Sequence, residues 1–363
     1  MHKPRILIVS YLAHPLFAES SGVVHGGSEL AMYNLAKYTN KDEFEVHCLV
    51  GDFSQPANQL IDQIHVHKGP KVERVGILKG MLNVLNLFRK VKQINPDVMV
   101  SSSAGWLTIE LILIKILLGK RYIFRSSHRR NIDGSLDSKG YGWLYRRLMN
   151  RIDCFVIQNA EDELVLRTTY SYVGKVVCIK NLQDIPPKID DSYRQREYIL
   201  WVGRSEAIKQ PELFLELARK LPKHQFKMLM PKTNEAIYAK ITEEAKLIPN
   251  LTILDWIDHE AIAQLYQSAR FLVSTSAGEG LPNVVLEAMK YGCPILSYQL
   301  DYDGMIENSC GLVAGGDMIK LVEFIDSCQE QTWQKLSDAC FDYATANFSA
   351  PKNIKAYEAI LRG

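Results

Sequence analysis

Short apolar runs alternate with amphipathic stretches along the whole chain. Apolar runs of strand length fall at Ile6–Ser10, Phe44–Val50, Val98–Ser101, Tyr122–Arg125 and Cys154–Gln158. They recur at Tyr198–Val202, Phe226–Met230, Leu251–Leu254, Phe271–Ser274 and from Ile295. Helical spacing marks Ser28–Tyr38, Lys79–Ile94, Trp106–Leu118, Pro211–Leu221 and His259–Ala269. A last helical pattern is interrupted by Pro351 and continues through Lys355–Leu361. Strand and helix in alternation predict βα units and parallel sheets. The periodicity lapses at Asn181–Asp191, NLQDIPPKIDD, which reads as a linker. A chain of 363 residues exceeds what one core usually supports, so two domains are expected. They are placed at 1–185 and 198–345, with 186–197 as linker and 346–363 as a terminal helix.

Composition changes this picture little: 47% hydrophobic and 23% charged residues describe an ordinary globular α/β protein. Seven scattered cysteines with no C-x-x-C pair argue against a disulfide framework or a zinc site, and fit a reducing cytoplasm. The start, MHKPRILIVSYL, runs directly into a strand pattern without a signal-peptide cleavage site. The longest apolar run, Trp106–Leu118, is 13 residues with Glu110 and Lys115 inside it. That is too short and too charged to cross a bilayer, and it reads as a helix on a sheet. The net charge of +2 conceals a basic segment: residues 115–151 carry ten Lys/Arg against Asp133 and Asp137. Such a segment suits an anionic membrane surface or acceptor. No aromatic-basic module accompanies it, so a nucleic-acid partner is not expected.

The chemistry concentrates in SAGEGLPNVVLEAMKYGCP, residues 276–294. Glu279 and Glu287 stand eight positions apart. Pro282 sits where a helix would start, and Val284, Val285, Ala288 and Met289 give that helix an apolar face. Its first N–H groups favour an anion, so two carboxylates beside an anion site suit a ligand with phosphates and hydroxyls, such as a nucleotide-sugar. A second signal is Gly203-Arg204 with Lys209, after a predicted strand: a tight turn and two cations for phosphate oxygens. Weaker signals are Gly26-Gly27 before a helix, with Ser28 as its cap, and His128 after the strand at Tyr122–Arg125.

The string E-G-x-P-x-x-x-x-E-A-M-x-x-G-x-P resembles the donor-site signature of the retaining GT-B glycosyltransferases, the glycosyltransferase 4 family, and Gly203-Arg204…Lys209 resembles their G-R-x5-K element. The resemblance implies an α/β GT-B fold of two Rossmann-like domains facing a cleft, with the terminal helix crossing back to the first. It implies a retaining transfer from a nucleotide-diphosphate sugar to a glycan or lipid-linked acceptor, as in surface-polysaccharide synthesis. Arg204 and Lys209 would grip the diphosphate and stabilise charge on the leaving group. Glu279 would bind the sugar and shield positive charge at C1, and Glu287 would bind the ribose hydroxyls. Gly203, Gly280, Leu281, Pro282 and Asn283 would line the donor, with Trp256 at the base pocket or in the core. His128 would contact the donor sugar and act with the catalytic residues. Gly26 and Gly27 would face the donor phosphate or the acceptor, and Asn181 would be structural.

No cofactor or metal is expected: Asp301-Tyr302-Asp303 is a D-x-D, but it follows a strand of a Rossmann-like domain and reads as a loop. A cytoplasmic enzyme, peripheral at the inner membrane face through 115–151, follows from the same reading. Three places depart from the family pattern: Met228–Asn234 and Asp255-Trp256-Ile257, where glycines are usual, and the segment after the donor motif. An inactive GT-B-like scaffold that binds a partner or membrane is the alternative.

Overall fold

The computed structural model describes residues 3–17, 26–71, 77–188, 195–257, 259–279, 281–302 and 304–363. It forms two compact units, one of Met1–Gln183 with Ala350–Gly363 and the other of Asp184–Ser349.

The first unit is built on strands β1 (Arg5–Val9), β2 (Glu45–Val50), β3 (Asn58–Ile61), β4 (Ile64–Lys68), β5 (Val98–Ser101), β6 (Arg121–Arg125), β7 (Cys154–Ile157) and β8 (Lys175–Cys178). Their order is β3-β4-β2-β1-β5-β6-β7-β8, parallel throughout except the β3–β4 hairpin. Strands covered on both faces become continuously apolar, and β5 and β7 are buried at every position. One face carries a core in which Met32 and Leu35 of helix Gly27–Tyr38 meet Ile354, Tyr357 and Leu361 of helix Ala350–Arg362. The other face carries Leu87, Val91, Ile109, Ile112 and Tyr145. Arg125, 2% exposed, donates to the Asn181 side-chain oxygen, whose main-chain carbonyl accepts from Asn353 at 3.3 Å. Asn181 therefore ties the first unit to the returning helix.

The second unit holds β9 (Tyr198–Val202), β10 (Phe226–Leu229), β11 (Leu251–Leu254), β12 (Ala269–Ser274), β13 (Ile295–Ser297) and β14 (Gly311–Val313). All six are parallel, in the order β11-β10-β9-β12-β13-β14. The chain winds outward from β9 through β10 to β11, then returns to β12 on the far side of β9. Ligands bind beyond the carboxyl ends of the strands at such a reversal.

Two expected boundaries move. Pro351 does not break the last helix; it lies in the first turn of Ala350–Arg362, where its missing N–H is not needed, and the break falls at Ser349. Ser28 does not cap its helix: Gly26 holds the N-cap, and the Ser28 hydroxyl donates to Glu29 at 2.9 Å. Helices Gly142–Leu148, Glu161–Tyr170, Glu235–Ala245 and Glu330–Phe348 add to those read from periodicity. None of the seven cysteines is in a disulfide, and only Cys178 is exposed. Among the described residues, no helix is long and apolar enough to cross a membrane.

Candidate functional site

β9 and β12, the neighbours at the reversal of the second sheet, each feed a loop that carries one half of the candidate site. After β9 the chain turns through Gly203, where a Cβ would come within 2.8 Å of the Trp201 ring beneath it. Any side chain at 203 would have to displace a buried indole. A short 3-10 turn, Ala207–Lys209, follows, and Gln210 reverses the chain in the left-handed region (φ 47°) before the helix from Pro211. After β12 comes Thr275–Pro282. The two loops are laced together: the Trp201 indole donates to Thr275 Oγ1 at 2.8 Å, and that hydroxyl donates to the Lys209 carbonyl at 2.6 Å. The Ala277 N–H closes the seam on the Ile208 carbonyl at 2.8 Å.

The lacing brings Lys209 Nζ against Glu279 Oε1, both side chains only 14% exposed. They line one hollow with Trp201, Val202, Ser274, Thr275, Ser276 and Val284. Burial, then the Arg204 charge, pushes the Lys209 ammonium down to about 8, with Glu206 acting weakly the other way. The touching Glu279 carboxylate also favours the charged form, so we read the pair as an ion pair at neutral pH. A partly desolvated cation beside a carboxylate, with buried hydroxyls around it, is equipped to hold a phosphate and a sugar hydroxyl together.

The other expected residues are placed less closely. Arg204 does not line the hollow; it is more than half exposed and turns to Glu206 at 3.1 Å, though its charge still acts on Lys209. Pro282 occupies the N-cap of helix Asn283–Lys290, one position before the expected N1, so Asn283 opens the helix. Leu281 is half-buried against the apolar cluster under that helix. Glu287 does not line the hollow; one turn along the helix, Lys290 holds it at 2.5 Å, beside the phenols of Tyr266 and Tyr291. Trp256 is 51% exposed, so the alternative of a core position is excluded. Gly280 lies outside the described residues, as does Asp303. Asp301 spends Oδ1 on the backbone N–H groups of Ile306 and Glu307, at 2.8 and 3.0 Å, and acts as a cap. His128, Gly26 and Gly27 belong to the first unit: His128 is exposed at the start of the short turn Arg129–Asn131, and Gly26 and Gly27 open their helix.

Two residues went unnoticed in the sequence. Ser205, fully buried, accepts the N–H groups of Thr233 and Asn234 at 2.9 Å each, which fixes the Met228–Asn234 turn without the expected glycines. Glu110, read only as a charge that spoils a membrane span, is pushed by burial up to about 7. Its charge acts on Tyr11, which follows β1 at the reversal of the first sheet, between β1 and β5. An acid inside an apolar helix that follows a strand was the available signal.

The family model described as glycosyl transferases group 1 matches residues 184–307, which span both loops. The amylovoran biosynthesis glycosyltransferase AmsD of Erwinia amylovora is 22% identical over 289 residues, 75% of this chain and 77% of the relative. The sucrose-phosphate synthase of Thermosynechococcus elongatus superposes with a TM-score of 0.79 at 15% identity, covering 99% of this chain and 98% of the other. A trehalose-6-phosphate structure from E. coli, bound with UDP-2-fluoro glucose, superposes at 0.74 with 10% identity over 98% of each chain. These likenesses show the fold to be GT-B, with its two Rossmann-like units.

Proposed function

We propose that this glycosyltransferase, whose residues 184–307 are a glycosyl transferases group 1 domain, transfers a sugar from a nucleotide-diphosphate sugar with retention at C1. The observation that carries the reading is the Lys209–Glu279 contact in a hollow at the sheet reversal. Lys209 and Arg204 hold the diphosphate and neutralise the charge that grows on it as the glycosidic bond lengthens. Glu279 leaves Lys209 for the sugar hydroxyls and shields the positive charge developing at C1. Glu287 takes the ribose once Lys290 yields. His128, Gly26 and Gly27 serve the sugar and acceptor side, and the transfer uses no metal.

A thermal-shift panel of UDP, GDP, ADP and CMP with their sugars tests this reading. At a hundred times its dissociation constant the cognate nucleotide should add about 2.7 kcal/mol of stability. Lys209→Ala should abolish the shift. No shift with any nucleotide would sink the donor assignment.

The acceptor we infer is a glycan or a lipid-linked one at an anionic membrane surface, in surface-polysaccharide synthesis. The AmsD relative is named for such a synthesis. The basic segment supports it in part: Arg125 is buried and Lys115 is spent on Asp153 at 2.7 Å, but Arg129, Arg130, Lys139, Arg146, Arg147 and Arg151 are exposed. Among them helix Trp106–Leu118 exposes Trp106, Leu113, Ile116 and Leu117, and helix Gly142–Leu148 exposes Trp143. Exposed apolar side chains in a segment that also exposes cations suit the headgroup boundary of an anionic leaflet. Sedimentation with vesicles containing anionic lipid should fall with salt and fall in Leu117→Glu. Equal binding to neutral vesicles would remove the proposal.

A further inference from the structure

Four side chains of the first sheet, outside everything assigned above, form one cluster on a single face. Glu45 and His47 of β2 lie beside His65 and His67 of β4, because the strands pair in parallel with His47 opposite His65. His47 is 7% exposed and stacks on both other rings, at 4.7 Å from His65 and 5.1 Å from His67. A hydrogen-bonded row runs through it. The Asn58 side-chain oxygen meets His67 Nδ1 at 2.8 Å, His67 Nε2 meets His47 Nδ1 at 2.8 Å, and His47 Nε2 meets Glu45 Oε1 at 2.8 Å.

Counting hydrogens along the row exposes a gap. The Asn58 oxygen only accepts, so His67 Nδ1 carries the hydrogen, and in the neutral ring His67 Nε2 accepts. His47 Nδ1 therefore donates, and His47 Nε2 is left bare against a carboxylate oxygen. Two lone pairs face each other at hydrogen-bond distance. A metal ion held between His47 Nε2 and Glu45 Oε1 closes the gap.

We propose that Glu45, His47 and His65 bind a divalent transition-metal ion of the zinc type. One ligand atom from each lies within 4.8 Å of the others. Tetrahedral zinc spaces its ligand atoms about 3.3 Å apart, so the 2.8 Å pair opens slightly and His65 swings in. Two imidazoles and one carboxylate prefer zinc, cobalt or nickel over magnesium or calcium, and a fourth position stays open to water. The outer contacts are those a ligand set needs. Arg5 holds the other Glu45 oxygen at 3.1 Å, leaving Oε1 for the metal, and His67 orients His47 through Nδ1. The ion would clamp β2 to β4, near the open edge of the sheet.

The test uses the full chain without a histidine tag. Protein incubated with zinc and desalted should retain about one equivalent by mass spectrometry, and cobalt should give the visible absorption of a four-coordinate site. His65 stacks on His47 outside the hydrogen-bonded row, so His65→Gln leaves the row intact; it should weaken binding at least about tenfold, as should Glu45→Gln. His224→Gln, at a surface histidine near Asp326, should keep the metal. No retained metal in the wild type, or full retention in His65→Gln, overturns the proposal.

Discussion

Lys209→Ala is expected to lower kcat by about 10²–10³-fold, the usual consequence of losing one preorganised partner for transition-state charge. It should also weaken the free protein. Lys209 and Glu279 are each only 14% exposed, so removing the cation strands a mostly buried carboxylate, at a cost of about 2 kcal/mol. The double variant Lys209→Met, Glu279→Gln should recover that stability and none of the turnover, which separates folding from chemistry. The pH dependence carries a sign. Burial and Arg204 hold the ammonium down to about 8, and a diphosphate would favour its charged form. Affinity for the nucleotide is then full below about pH 8 and falls as pH rises through it, with proton uptake on binding above that pH. Calorimetry in buffers of different ionisation enthalpy reads that uptake. Normal turnover in Lys209→Ala would end the assignment of this hollow as the donor site.

Gly311→Ala is expected to destabilise the second unit strongly, for a Cβ there meets backbone at the shortest distance among the described glycines. Gly311 pairs with Ile295 across β13 and β14, and a Cβ there would overlap the Ile295 carbonyl oxygen. Backbone cannot swing aside as a side-chain tip can, so β14 must leave the sheet or the sheet must open. A loss of about 3 kcal/mol or more follows, which lowers the melting temperature by about 10 °C in a body of this size. Gly140→Ala, where an added Cβ meets nothing, serves as the neutral control. Similar melting of the two variants would refute the argument from the pairing.

The strands were legible where burial on both faces makes them continuously apolar. Val98–Ser101 and Tyr198–Val202 fall where the pattern put them. What escaped notice were elements whose polarity follows exposure. β3 and β8 hold only exposed and half-buried positions, and helix Glu161–Tyr170 begins with three acids. Within the site, Lys209 and Glu279 were legible because glycine and proline mark the turns that carry them. The spacing said nothing of where Glu287 turns, since Lys290, three residues on, competes for it in the free protein. Ser205 was invisible for another reason. A buried serine that replaces glycines by accepting two backbone N–H groups leaves no periodic trace.

The return of Ala350–Gly363 to the first unit sets a schedule for synthesis. Met32, Leu35 and their neighbours await Ile354, Tyr357 and Leu361, which the ribosome makes only after the whole of Asp184–Ser349. At about 5–20 residues per second that interval is on the order of ten seconds. Throughout it the first unit carries an uncovered apolar seam, the kind of transiently exposed surface that makes a folding chain prone to aggregate. A premature stop anywhere in the second unit leaves that seam open for good, so damage late in the message is registered at the beginning of the protein.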